Sequence, residues 1–336
     1  KKDEIILLLG AVADNLIFQN GSWTHTWQGV DSSFNSQNAL NIKQAFQNKI
    51  TPSLLKYEKG YELTLVNNWE NCALVDLSKV IEEAKLCDKI VVCLGEMPAT
   101  EKPGDIRSLN LCEAQLKLVE ELQTLGKPIV LVFLFGRPRI IRTIEPLASA
   151  IVNAYLPGDF GSNALVDLLN GEEKFSGKLP YTFPKYDGVM EHYDYVNAET
   201  LSGKTNKNDA IDSQWPFGFG MSYTSYSYSN LSLSKTSMVR ENDSIIAKIT
   251  VSNNGKIAGK EVVQWFITDE YASISPANKK LKYFEKIDLL PNQTKTIEFV
   301  IHLSDLKFVG ENNEWILEKG NFIISVENFK STFNLD

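Results

Sequence analysis

The chain has 336 residues, of which 43% are hydrophobic and 23% charged, so it has the composition of a globular protein long enough for two domains. Its formal net charge of −8 argues against nucleic acid or an anionic membrane surface as the main partner. No apolar run approaches the roughly 20 residues of a membrane-spanning helix, so no membrane partner is expected.

The first predicted element is an apolar strand at residues 4–9, and a polar loop with two tryptophans follows it. In the segment GSWTHTWQG at residues 21–29, Trp23 and Trp27 stand among small polar residues without helical or strand periodicity. Flat aromatic rings pack against the C–H faces of sugars, so this loop is a candidate carbohydrate platform. The alternative is that the indoles only close the edge of the domain, and for Trp27 the sequence favours neither. The fingerprint G-x-G-x-x-G is absent after the strand, so no cofactor is expected.

Strands and helices then alternate along the chain. The periodicity predicts helices at 39–46, 77–86, 111–126, 140–147 and 163–169, and strands at 61–66, 90–94, 129–135 and 150–155. This alternation predicts an α/β domain with three layers and a mostly parallel sheet.

The loop after the strand at 90–94 is unusually long and acidic. It carries Glu96, Glu101 and Asp105, whereas a plain connection needs only about two to six residues. Ligands of open parallel sheets collect beyond the carboxyl ends of the strands, so these acids are candidate functional residues. Arg137 follows the next strand and could also reach a ligand, although tying down a loop is the commoner role of such an arginine.

From residue 216 the pattern changes to short alternating segments, at 226–233, 245–251, 261–268, 282–289, 294–301 and 321–326. Strands separated by turns, with no helical stretch between them, predict an antiparallel β-sandwich. We therefore predict an α/β domain at 1–184, a linker at 185–215 and a sandwich domain at 216–336. His192 and the tyrosines of the linker could line a cleft, but solvated positions are favoured.

The four cysteines, Cys72, Cys87, Cys93 and Cys112, lack the spacing of a metal site, and no metal is expected. Buried free thiols are the favoured interpretation, and a disulfide is the alternative.

Several motifs, in order, resemble the C-terminal half of family three of the glycoside hydrolases, the β-glucosidase and exo-glucanase type. They are GSWTHTWQG at 21–29, GEMPATEKPGD at 95–105, PGDFG at 157–161, SGKLPYTFP at 176–184 and WPFGFGMSYT at 215–224. Ser22 and Ala99 stand where the family often has glycine and tyrosine. The resemblance implies a three-layer α/β domain followed by an immunoglobulin-like or fibronectin type III-like sandwich.

The resemblance also implies functional roles. Glu101 matches the general acid/base, and Trp23 matches a tryptophan that flanks the outer sugar subsite. The family's nucleophile lies in an N-terminal barrel domain that has no counterpart in these residues. The chain thus resembles the acid/base-bearing half of a retaining β-glucosidase-like enzyme that releases terminal β-D-glucosyl residues.

The expected partners follow from this assignment. They are a β-linked gluco-oligosaccharide or aryl β-glucoside, and a barrel domain in the same chain or another, without which the isolated chain is predicted to be inactive. A periplasmic or secreted location is favoured over a cytoplasmic one. The alternative function is a non-catalytic carbohydrate-binding or structural protein with the same two folds.

Overall fold

The computed structural model describes residues 3–66, 69–188, 192–196, 213–239 and 242–336. They form two compact units: Lys1–Glu173 with Pro184–Gly188, and Lys174–Phe183 with Val189–Asp336. The segment Lys174–Phe183 lies with the second unit, although the sequence places it in the first domain. The predicted domain limits stay predictions, and much of the predicted linker (189–191 and 197–212) lies outside the described residues.

The described residues of the first unit form seven strands and four α-helices. The strands are β1 Ile6–Leu9, β2 Leu55–Glu58, β3 Tyr61–Val66, β4 Trp69–Leu74, β5 Lys89–Gly95, β6 Ile129–Leu134 and β7 Ala150–Asn153. The helices are α1 Ile42–Lys49, α2 Leu77–Lys85, α3 Glu113–Gln123 and α4 Gly161–Asn170. Five strands form one parallel sheet in the order β2-β1-β5-β6-β7, whereas β3 and β4 form a separate antiparallel hairpin. The predicted α/β class is confirmed.

The order of the strands creates a switch point in this sheet. From β1 the chain moves to β2 on one side, and it later returns to β5 on the other side of β1. The loops after β1 and β5 therefore diverge at the same edge, where open α/β sheets bind their ligands. β5 is buried from Ile90 onward, as its β-branched, apolar sequence predicts.

The helix predicted at 140–147 is wrong. Only a short 3-10 turn, Glu145–Leu147, is present there. Ile140 is instead extended, and its N–H donates to the carbonyl of Leu109 at 2.9 Å. Ile140, Ile141 and Ile144 are buried, and their spacing resembles that of a helix, while Pro146 lacks the N–H that a helix interior needs.

The cysteines divide into two pairs. Cys72 in β4 and Cys112 just before α3 form a disulfide, so the favoured free-thiol interpretation is wrong for these two. Cys87 and Cys93 are free and buried, as predicted. The disulfide joins the β3–β4 hairpin to the helix that follows the acidic loop.

The second unit is a sandwich of two mainly antiparallel sheets, as predicted. Its strands are β8 Tyr226–Leu233, β9 Ser237–Met238, β10 Ser244–Asn253, β11 Gly259–Asp269, β12 Lys280–Leu289, β13 Thr294–His302, β14 Phe308–Val309, β15 Trp315–Ile316, β16 Gly320–Val326 and β17 Phe329–Leu335. One sheet has the order β13-β10-β8 and the other β12-β11-β16-β17-β9. Alternate residues point inward, and the fully buried Trp265 lies in the core.

No helix among the described residues is long and apolar enough to cross a membrane.

Candidate active site

Glu101 lies on the loop after β5, at the carboxyl edge of the parallel sheet, and its side chain is exposed. Its backbone has φ 54° and ψ −149°, a region that residues with a Cβ rarely adopt. The indole N–H of Trp27 donates to one Glu101 carboxylate oxygen at 3.3 Å. The structure thus presents a carboxylate to solvent while one of its oxygens is held in place.

The tryptophan loop is fastened directly to the Glu101 loop. The side-chain amide of Gln28 donates to the Thr100 carbonyl at 3.2 Å and accepts from the Thr100 N–H at 3.0 Å. Trp23 is 68% exposed and Trp27 is 48% exposed, so neither indole is packed in the core. Both predicted platform residues therefore belong to the loop that contacts Glu101. The suggestion that Trp27 merely closes the domain edge does not explain its hydrogen bond to Glu101.

Glu96 has a different environment from Glu101. It is only 7% exposed, and its Oε2 accepts from Nε of Arg137 at 2.8 Å and from Nη1 of Arg139 at 3.0 Å. Arg137 also donates to the carbonyl of Gly104 at 2.6 Å. Arg137 therefore holds the acidic loop in place, which is the commoner of the two roles predicted for it. Glu96 in turn fixes the position of Arg137. The contacts of Glu96 support no part in proton transfer.

The start and end of the acidic loop are fixed as well. Fully buried Gln115 in α3 donates to the carbonyl of Gly95 at 2.8 Å and accepts from its N–H at 3.0 Å. At the other end, Arg139 donates to the carbonyl of Asn110 at 2.8 Å. Asp105 is exposed on the same loop, and its N–H donates to the carbonyl of Lys102 at 3.1 Å.

A fourth carboxylate, Asp159, lies on the loop between β7 and α4 and holds the tryptophan loop in place. Its side chain accepts four hydrogen bonds at 2.6–3.1 Å, from the Ser36 N–H and from the side chains of Asn20, His25 and Asn35. Burial alone would raise the pKa of Asp159, but these hydrogen bonds together outweigh it and hold the pKa well below its usual range. Asp159 is therefore ionised, and its hydrogen bonds hold the loop that carries both tryptophans.

Sequence reasoning missed Asp159, Arg139 and Gln28 as parts of the site. A carboxylate just beyond a predicted strand, within PGDFG, is the one signal that could have pointed to Asp159. The two other residues act through partners far away in the sequence, which no local pattern indicates.

Within the described ranges, no group of three or more His, Cys, Asp or Glu residues is placed to hold a metal ion. His192 is exposed.

Comparison with known proteins identifies both units. The model of the glycosyl hydrolase family 3 C-terminal domain matches residues 1–223, and that of the fibronectin type III-like domain matches residues 261–329. The chain is 32% identical to the lysosomal beta glucosidase of Dictyostelium discoideum, over 96% of this chain and 40% of that protein. It is 30% identical to the periplasmic beta-glucosidase of Salmonella typhimurium, over 97% of this chain and 45% of that protein.

A solved structure of the beta-glucosidase from Listeria innocua, in complex with glucose, has the same fold. The TM-score is 0.84 at 25% identity, and the match covers 99% of this chain and 46% of that one. The chain thus spans less than half the length of the relatives it matches. It belongs to glycosyl hydrolase family 3 and corresponds to the C-terminal half of β-glucosidase-like enzymes of that family.

Proposed function

We propose that this chain is the acid/base-bearing part of a retaining β-glucosidase-like hydrolase, with Glu101 as the general acid/base. The observation that carries the proposal is the hydrogen bond from Trp27 to an otherwise exposed Glu101. A general acid needs a defined direction and open access to the substrate. The Trp27 contact orients one oxygen, and exposure leaves the carboxyl accessible.

Glu101 would act twice in each reaction cycle. As an acid it protonates the glycosidic oxygen while a second carboxylate attacks the anomeric carbon, which forms a glycosyl-enzyme and releases the aglycone. As a base it then takes a proton from the water that hydrolyses this intermediate, which returns both carboxyl groups to their starting states.

The second carboxylate must lie about 5–5.5 Å from the first in a retaining enzyme. Glu96 is held by two arginines, and Asp105 lies only four residues from Glu101 on the same loop, so neither carboxylate is expected to lie on the opposite side of a bound sugar from Glu101. We propose that a barrel domain outside these 336 residues, in the same chain or another, supplies the nucleophile.

The proposed substrates are β-linked gluco-oligosaccharides and aryl β-glucosides. Trp23 supports this class because its exposed ring, on a loop fastened beside Glu101, offers a flat apolar face to a sugar beyond the cleaved bond. A periplasmic or secreted location stays a prediction.

Kinetics of the enzyme with its barrel present test the role of Glu101. We expect Glu101→Ala to lower kcat/KM by about 10²–10⁴-fold for glucosides with poor leaving groups. The loss should be far smaller for glucosides whose leaving group departs without being protonated. Azide should partly restore turnover, because an anion can attack the glycosyl-enzyme without a general base. Asp105→Asn, on the same loop, is the matched control and should retain activity. Equal losses for good and poor leaving groups, without azide rescue, would assign the acid/base elsewhere.

A further inference from the structure

A cavity of about 450 Å³ opens in the second unit, well away in sequence from the Glu101 loop. Residues from the segment before the sandwich, from β8 and β11, and from the turn between β16 and β17 line it. Its size falls in the range of about 300–1,000 Å³ that is typical of sites for small ligands. The sequence assigns no chemistry to this part of the chain.

A buried carboxylate forms one side of the cavity. Glu261 is 6% exposed, and its Oε1 accepts from the Tyr228 hydroxyl at 3.0 Å. Its Oε2 lies 3.5 Å from Nζ of Lys178, which is longer than a normal hydrogen bond. Lys178 instead donates to the carbonyl of Gly220 at 2.8 Å. One oxygen of Glu261 thus retains capacity to accept a hydrogen bond.

The hydroxyl of Tyr226, which also lines the cavity, lacks a well-formed hydrogen bond. Its oxygen is buried and has no partner at normal hydrogen-bond geometry among the described residues; the nearby Ser222 side chain is its one weak contact, which partly offsets the effect of burial on the pKa. Burial raises the pKa of this hydroxyl, so it is a neutral donor and acceptor at neutral pH. Buried polar groups are normally hydrogen-bonded, and an exception indicates a missing partner.

The turn between β16 and β17 adds an exposed carboxylate in an unusual conformation. Glu327 has φ 50°, although a two-residue hairpin turn is best served by glycine or asparagine at such a position. Strained backbone of this kind clusters at ligand sites. Glu327 and its neighbour Asn328 both line the cavity.

The charges and groups of the lining define the ligand. The lining contains one ammonium, Lys178, and two carboxylates, Glu261 and Glu327, so an anionic ligand is disfavoured. Hydroxyl, amide and carboxylate groups bind neighbouring hydroxyls of a neutral ligand, and Phe329, which also packs against the core, adds an apolar part to the lining. We propose that this cavity is a second carbohydrate site, which takes a neutral mono- or oligosaccharide. This proposal does not rest on the function proposed for Glu101.

Titration of the full 336-residue chain with cellobiose, followed through its assigned backbone amide signals, tests the proposal. We expect saturable shifts at Thr224, Tyr228 and Asn328, and none of comparable size at these amides with glucose 1-phosphate. Trp23→Ala should leave these shifts unchanged, which separates the site from the proposed Glu101 site.

Two variants test the chemistry of the lining. Tyr226→Phe removes a hydroxyl whose one contact is the weak one with Ser222, so it should change thermal stability little yet weaken binding about threefold to tenfold. Glu327→Gln should weaken it about tenfold, while Glu311→Gln, an exposed glutamate outside the cavity, should have no effect. Absence of shifts at the cavity amides, unaltered binding in both variants, or preference for the phosphate would each overturn the proposal.

Discussion

Glu101 combines an exposed carboxylate with a backbone conformation that glycine adopts more readily. At φ 54° and ψ −149° its Cβ crowds the backbone, and conformations of this kind cost on the order of 1–3 kcal/mol. The ties at Thr100 and Gly104, on either side of Glu101, hold the loop in this shape. The strain is therefore local to the residue to which we assign the proton transfer.

Glycine should be the more stable of two replacements that both remove the carboxylate. We expect Glu101→Gly to have a higher free energy of unfolding than Glu101→Ala by about 1 kcal/mol, since relief of strain exceeds the entropy cost of glycine. Urea denaturation of both variants measures this difference. At Lys102, which has an ordinary negative φ, alanine should instead be the more stable substitution. An alanine variant at 101 as stable as the glycine variant would contradict the strain argument.

Trp23 is the second residue with a testable role in the proposed enzyme. With the barrel present, Trp23→Ala should weaken binding of di- and oligosaccharides by about 1–3 kcal/mol, because the apolar ring no longer covers the outer sugar. Aryl glucosides, which lack that sugar, should be affected less. KM values and inhibition constants for the two substrate classes measure the effect. Trp315→Ala, an equally exposed tryptophan of the second unit, is the control. Equal losses for both classes would remove Trp23 from the outer subsite.

At the scale of elements, the acidic loop is held by the loop that follows β6. Glu96, Arg137 and Arg139 form a largely buried charge cluster, and the two arginines also bind carbonyls of the acidic loop. Removing one partner of such a cluster leaves an uncompensated charge in a poorly solvated place. The cluster therefore holds the Glu101 loop in its conformation.

Glu96→Gln should lower the free energy of unfolding by about 3–5 kcal/mol, since Arg139 would remain buried without its counter-charge. Glu298→Gln, which breaks an exposed pair with Lys248, should cost only about 0–1 kcal/mol. Chemical denaturation of both variants compares the costs. A small, similar cost at both positions would show that Glu96 is not a structural anchor.

The sequence predicts elements better than contacts, and the site shows why. The apolar run at 90–94 and the acidic loop after it were enough to place Glu101 at the carboxyl edge of a parallel sheet. The bonds that organise this edge join residues far apart, such as Asp159 with Ser36, or Arg139 with Glu96. Such pairs depend on the order of strands in the sheet, which periodicity does not reveal.

At the scale of the whole molecule, the proposed function assigns to this chain one of the two carboxylates of a catalytic pair. A lone general acid provides about 10²–10⁴-fold acceleration, whereas enzymes reach at least about 10⁶-fold. The relatives are more than twice as long as the portion that matches this chain. We therefore expect most of the catalytic power to come from the proposed barrel.

Purified Lys1–Asp336 should fold yet show no turnover of a chromogenic β-glucoside. Supplying the barrel, in the same chain or as a separate one, should produce turnover that Glu101→Ala abolishes for poor leaving groups. Robust hydrolysis by the isolated chain, retained on repurification and lost in Glu101→Ala, would show that the 336 residues contain a complete site.

The conformation of Glu101 also has a genetic consequence. Both glutamate codons become glycine codons when their middle base changes from A to G, so the residue that this backbone favours lies a single transition away. Selection for stability alone would favour this change. A lineage with no use for the carboxylate would therefore be expected to acquire glycine, and the proton transfer that we propose for Glu101 would oppose that change.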